Sequence, residues 1–171
     1  NGHVNVDDEK MSKSLKNFFT IREVLEIHHA QAIRLFLLST HYRSPINYST
    51  QNLEDAERRL SYLYDTLLGI DNALAEGIDT ENGDLLEADR VSDIREKFQQ
   101  AMNDDFNSPQ ALGQLSDVAK LANDLIRRKK KTPGRGKTLQ FIRETLTEVG
   151  DVLGVMNREP KQVLDELRSL A

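Results

Sequence analysis

From Leu53 onward, apolar residues recur at Leu53, Ala56, Leu60, Leu63, Leu67, Ile70 and Leu74. Steps of three and four keep such residues on one side of a helix, so the spacing predicts a long amphipathic helix with Ser49 as its N-cap. Gly77 to Gly83, rich in Asp, Asn and Gly, reads as a connection. A second stripe at Val91, Ile94, Phe98 and Ala101 predicts a short helix. Ser108-Pro109 then offers a hydroxyl cap and a first-turn proline ahead of Leu112, Leu115, Ala119, Ala122 and Ile126. Thr132 to Gly136 interrupts the periodicity. It resumes at Leu139, Ile142, Leu146, Val149 and Leu153, and Pro160 opens a last helix through Leu164 and Leu167. Four main helices with short loops predict a mainly α fold, an antiparallel helical bundle.

The first 48 residues have a different texture. His3-Val4-Asn5-Val6 alternates like a strand, Lys10 to Leu15 (KMSKSL) is loop-like, and Thr20 with Glu23 forms a capping box. Ala30 to Leu38 predicts a helix apolar on several sides, buried between this region and another element. The expected division is therefore 1–48, a loop and junction region, and 49–171, the bundle. Residues 1–16 are expected to be mobile, since little in them can bury surface. The Leu53 stripe can serve dimerisation. Three partner stripes in the same chain instead predict packing within its own bundle, and a monomer.

Charge alters this picture by being segregated. The net charge is −5, but residues 1–48 carry +1, residues 49–126 carry −11 and residues 127–171 carry +5. Seven of the eleven residues from Arg127 to Lys137 are basic: Arg127, Arg128, Lys129, Lys130, Lys131, Arg135 and Lys137. Such a run either tracks a nucleic-acid backbone or forms a solvated helix end. The absence of cysteine excludes disulfides and thiolate metal sites, and four scattered histidines argue against a zinc cluster. With no membrane-length apolar run and no signal-peptide pattern at the start, a cytoplasmic location is expected.

The candidate chemistry lies in the loop. Lys10 and Lys13 flank Met11 and Ser12, with Ser14 following, so two flexible ammonium groups and two hydroxyls sit where a polyphosphate could be neutralised and hydrogen-bonded. KMSKS followed by Asn17 and the aromatic pair Phe18-Phe19 resembles the signature loop of class I aminoacyl-tRNA synthetases. The longer string NGHVNVDDEKMSKSLKNFFTIREVL is similar to the cysteinyl-tRNA synthetase family. The likeness continues at Ile33 to Leu38 and His41 to Ser49, which resemble that family's stem-contact region. Met102 to Pro109 with Ala111-Leu112 resembles part of its helical anticodon-binding domain. One position departs: the residue after KMSKSL, often Gly in the family, is Lys16.

The resemblance implies a fragment of a cysteine–tRNA ligase, which converts ATP, cysteine and tRNA(Cys) to cysteinyl-tRNA(Cys), AMP and diphosphate. Lys13 would stabilise the ATP phosphates as adenylate forms and Lys10 would assist. Met11, Ser12 and Ser14 complete the ATP-binding loop, the two serines holding it closed. The family's nucleotide-binding fold, histidine motif and thiolate-selecting zinc precede this loop, so zinc is expected in the parent and not on this chain. Alone, the fragment is expected to be inactive.

Tyr42 and Arg43, beside His41, have two readings: contact with the tRNA bend, or a structural joint in which Arg43 pairs with a carboxylate. Arg127, Arg128 and Lys129 are the tRNA-backbone candidates. His28 and His29 read as helix-terminal groups and Asp104-Asp105 as a loop and helix start. The alternative function is a stand-alone tRNA-binding or interaction module without catalysis. A related enzyme that joins cysteine to an amino sugar shares the loop but has no need of so long a bundle.

Overall fold

The computed structural model describes residues 2–128 and 132–170. The chain opens with β1 (Val4–Val6) and β2 (Glu9–Lys10), an antiparallel hairpin whose two-residue turn is Asp7-Asp8. Both turn residues have positive φ, 47° and 66°, as a tight right-twisting hairpin requires. Neither is glycine. The strain is offset by Asn47, whose Oδ1 accepts from the Asp8 N–H at 2.9 Å while its Nδ2 donates to Asp8 Oδ1 at 2.9 Å. Asn47 lies on β3 (Ile46–Tyr48), which runs parallel to β1, giving the sheet order β2-β1-β3. The strand read at His3 to Val6 is present as β1, but its parallel partner β3 was not legible in the sequence, because it comes some forty residues later.

Between the strands lie α1 (Ile21–Leu25) and α2 (Ala30–Leu38). Thr20 caps α1 in a full capping box with Glu23, as the sequence predicts. Phe19 turns inward against Tyr48, ring centroids 4.2 Å apart, and Phe36 meets Tyr48 edge-on. These rings cover a small core of Val24, Ile33 and Leu53. The other face of α2, with Ala32 and Leu35, enters the main core, so this one short helix joins the sheet region to the bundle.

The bundle begins with α3 (Thr50–Ala75), capped by Ser49, whose side chain accepts from the Asn52 N–H. Leu53, Ala56, Leu60, Leu63, Leu67 and Ile70 of the predicted stripe are buried, along with Tyr64. The stripe between Val91 and Ala101 forms two helices rather than one, α4 (Ala88–Val91) and α5 (Ile94–Asn103). At the break the Ser92 hydroxyl donates to the Ala88 carbonyl and to the Asp93 carboxylate, local bonds that compete with helix continuation.

Next come α6 (Ser108–Arg127), α7 (Arg135–Leu153) and α8 (Pro160–Leu170). The cap of α6 is Asn107, not Ser108: Asn107 Oδ1 accepts from the Gln110 N–H at 3.2 Å. The Ser108 hydroxyl instead donates to the Leu38 carbonyl at 2.8 Å, tying α6 to the end of α2. At the C-terminus of α7, Gly154 takes φ +70° and the Arg34 guanidinium donates to the Leu153 carbonyl. A Cβ at Gly154 would stand 2.5 Å from Arg34 Nε, so glycine meets both the turn and the close approach.

Candidate functional site

The KMSKS loop leaves the hairpin where β2 ends. Its root is closed by one side chain: Asn17 Oδ1 accepts from the Ser12 N–H at 2.8 Å and Asn17 Nδ2 donates to the Lys10 carbonyl at 3.3 Å. The Met11 N–H continues the sheet by donating to the Val4 carbonyl at 3.0 Å. Within the loop Ser12 Oγ and Ser14 Oγ are 3.1 Å apart, and Ser12 Oγ also accepts from the Leu15 N–H at 3.2 Å. The Lys16 N–H donates to the Lys13 carbonyl, and Lys16 takes φ +56°. That is the backbone region glycine adopts most readily, so a side chain at this position sits in a strained turn.

Lys10 and Lys13 are exposed, and neither forms an ion pair among the described residues. The Lys13 ammonium stands 5.6 Å from the centroid of the half-exposed Phe18 ring. The aromatic pair is thus divided, Phe19 into the small core and Phe18 beside the cation. Sequence reasoning missed the clamp by Asn17 and the seat on Phe18; the Asn-Phe-Phe string directly after the loop was the signal for both.

The second predicted group, Tyr42 and Arg43, is bound to Asp105 in the turn between α5 and α6. Tyr42 O–H donates to Asp105 Oδ1 at 2.8 Å, and Arg43 Nη2 donates to the same oxygen at 3.2 Å. Arg43 Nε lies 2.9 Å from Asp105 Oδ2 and donates to the Tyr42 hydroxyl at 2.9 Å. His41 Nε2 reaches the Asp105 carbonyl at 3.0 Å, and its ring stacks on Tyr42. The Tyr42 hydroxyl, and then the Asp105 carboxylate, push the Arg43 pKa above its ordinary value. Asp105 is therefore more than a helix-start residue: it is the carboxylate that the structural reading of Arg43 required.

The basic run is divided. Arg127 is exposed, with Nη1 3.9 Å from Asp124, and Arg128 is exposed beyond the end of α6. Lys129, Lys130 and Lys131 lie outside the described residues. Arg135, counted with the run in the sequence, turns back instead to donate to the Leu125 carbonyl at 2.6 Å and the Ile126 carbonyl at 2.8 Å. It caps the carbonyl end of α6, and Lys137 reaches the Gly83 carbonyl at 3.4 Å.

The two buried histidines sit at the joint between α1, α2, α3 and α8. His28 Nδ1 is 3.0 Å from Glu57. His29 caps α2: its Nδ1 accepts from the Gln31 N–H at 3.2 Å, which leaves Nε2 to donate to Glu166 at 2.9 Å. Glu166 also receives both Nη groups of Arg158, at 2.8 and 2.6 Å. The Arg158 bonds first, and the His29 bond next, hold its carboxyl down at about 2. Beneath them the buried Tyr64 hydroxyl donates to Gln31 at 2.7 Å, and burial pushes its pKa up. Among the described residues no group of three or more His, Cys, Asp or Glu is arranged to hold a metal ion. No helix among those residues is long and apolar enough to cross a membrane.

The exposed lysines of the loop thus stand on a small sheet that a short helix joins to a helical bundle. Residues 1–58 match the family described as tRNA synthetases class I (C) catalytic domain, and residues 97–157 match the DALR domain. The two matched segments are thus part of a class I (C) synthetase catalytic domain followed by a DALR domain. The chain is similar to cysteine–tRNA ligases. The Geobacter metallireducens ligase is 44% identical over 99% of this chain and 35% of its own length. The chloroplastic/mitochondrial ligase of Arabidopsis thaliana is 43% identical over 100% of this chain and 31% of its own. The Anaeromyxobacter sp. ligase is 46% identical over 99% and 34%. The chain thus spans about a third of the length of the curated relatives it matches.

Proposed function

We propose that this chain is the part of a cysteine–tRNA ligase that supplies the ATP-phosphate loop and a tRNA-binding bundle. The overall reaction joins cysteine to tRNA(Cys) at the expense of ATP. In the first step the cysteine carboxylate attacks the α-phosphorus of ATP, the bond to the bridging oxygen breaks, and pyrophosphate leaves with the electron pair. In the second, the terminal ribose hydroxyl of tRNA takes the cysteinyl group and AMP leaves. Negative charge grows on the departing pyrophosphate, and the ammonium of Lys13, with Lys10 at the loop's root, neutralises it. Met11, Ser12 and Ser14 shape the loop that carries them. Arg127, Arg128 and Lys129 lie along the tRNA backbone, and Tyr42 and Arg43 meet the tRNA at the joint.

The observation that supports this reading most is the loop itself: two exposed, unpaired lysines on a turn braced by the hydrogen bonds of Ser12, Ser14 and Asn17. In the full-length protein carrying this segment, Lys13→Ala should reduce cysteine-dependent ATP–pyrophosphate exchange by about 100-fold or more, the scale of a lost transition-state charge contact. The far-ultraviolet circular dichroism should stay unchanged. Undiminished exchange would refute the assignment.

A further inference from the structure

Five contacts from three consecutive residues converge on Asp105, and the residues concerned belong to different parts of the molecule. His41, Tyr42 and Arg43 lie in the segment matching the catalytic domain, and Asp105 lies in the segment matching the DALR domain. The turn that carries Asp105 is strained, since Asp105 and Phe106 take φ +52° and +55° in succession. Residues with a Cβ avoid this left-handed region unless something holds them there. Strain of this kind persists only where the surroundings over-determine it, and it concentrates at functional positions.

Simple stabilisation does not account for the cluster. The Arg43 side chain is 67% exposed and that of Asp105 44% exposed. Ion pairs so open to water add little to folding. What the contacts do achieve is orientation. The carboxylate engages Nε and Nη2 of Arg43, and Nη1 makes no hydrogen bond among the described residues. One edge of the guanidinium is therefore held and the other is presented outward, next to a Tyr42 ring that is fixed through its hydroxyl and remains partly exposed. The half-buried bond from Ser108 to Leu38 lies on the same seam between α2 and α6.

We propose that Asp105 is a positioning residue for the tRNA-dependent step: it sets Tyr42 and Arg43 in the pose that receives tRNA and registers the bundle against the catalytic part. The proposal rests on the ligase reading of the preceding section. Asp105 lies in the turn between α5 and α6, outside the KMSKS loop. Its loss should leave adenylate formation intact and impair tRNA charging, because a guanidinium released from its carboxylate samples many poses and must be ordered at each encounter.

The test uses Asp105→Asn, which keeps the size and removes the charge, in the full-length protein. Cysteine-dependent pyrophosphate exchange should stay within about twofold of the unsubstituted protein while the KM for tRNA(Cys) rises by roughly tenfold. Amide exchange should quicken at residues 41–43 and 104–107 and remain unchanged in α3 and α7. Equal loss in both steps would mark a merely structural role and overturn the proposal, as would an unchanged KM for tRNA. Failure of the ligase reading shows separately, as an unsubstituted protein that charges no tRNA. The positioning role falls with it, and the amide-exchange comparison then reports on the Asp105 contacts alone.

Discussion

At Lys16 a single dihedral angle bears on how the turn closes. A left-handed residue that is not glycine biases the turn toward opening, and this turn holds Lys13 in place through the Lys16 N–H bond to the Lys13 carbonyl. Lys16→Gly should therefore slow amide exchange at Leu15 and Lys16, whose N–H groups close the turn, and an unaltered rate would count against strain there. Asn17 shows the complementary case, one amide satisfying a donor and an acceptor at the two ends of the loop. Lys10, Met11, Ser12, Lys13 and Ser14 were legible as a group because their chemistry is local in sequence. Tyr42 and Arg43 were legible only as alternatives, because the partner that decides their geometry, Asp105, is some sixty positions away.

Among the elements, α8 is attached in part through a carboxylate whose pKa is held far down. Beyond Pro160, Val163 and Leu164 in the core, it is held by Glu166, which joins Arg158 to His29 at the start of α2. The folded-state carboxyl lies at about 2, against an ordinary value of 4.5. Its contribution is complete above the ordinary value and is lost as pH falls from about 4.5 to about 2. Amide protection along α8 should decline across that window, and in Glu166→Gln it should be weaker at neutral pH and flatter with acidification. An identical profile in both proteins would show that the carboxylate does not anchor the helix. Element boundaries teach the same lesson as the residues. Ser49 and Thr20 were readable as caps because capping is local, whereas the cap of α6 moved to Asn107 once Ser108 found the Leu38 carbonyl.

For the molecule as a whole, charge segregation matters more than net charge. The acidic middle, α3 to α6, repels phosphate, while the basic end of α6 offers Arg127 and Arg128 to solvent. If these track the tRNA backbone, Arg128→Ala should weaken binding and reduce the slope of log K against log salt by about one, the counterion released per phosphate contact. Arg135→Ala should behave differently. Its guanidinium caps two carbonyls of α6, so its loss should lower unfolding stability by about 1–2 kcal/mol and leave the salt slope unchanged. A gel-shift titration at two salt concentrations, paired with thermal melting, separates the two arginines.

The sequence by itself determined the helical character of the bundle, the apolar stripe of each helix, the caps at Thr20 and Ser49 and the lysine- and serine-rich chemistry of the loop at residues 10–15. Each depends on residues within a turn or two of one another, where periodicity and side-chain chemistry act directly. Only the tertiary structure decided that a strand forty residues downstream supports the loop, that Arg135 caps a helix while Arg128 faces solvent, and that Asp105 holds Arg43. Those outcomes depend on which loops meet after the stripes are buried, and a linear pattern of apolar positions specifies the faces that pack without specifying what their connections touch.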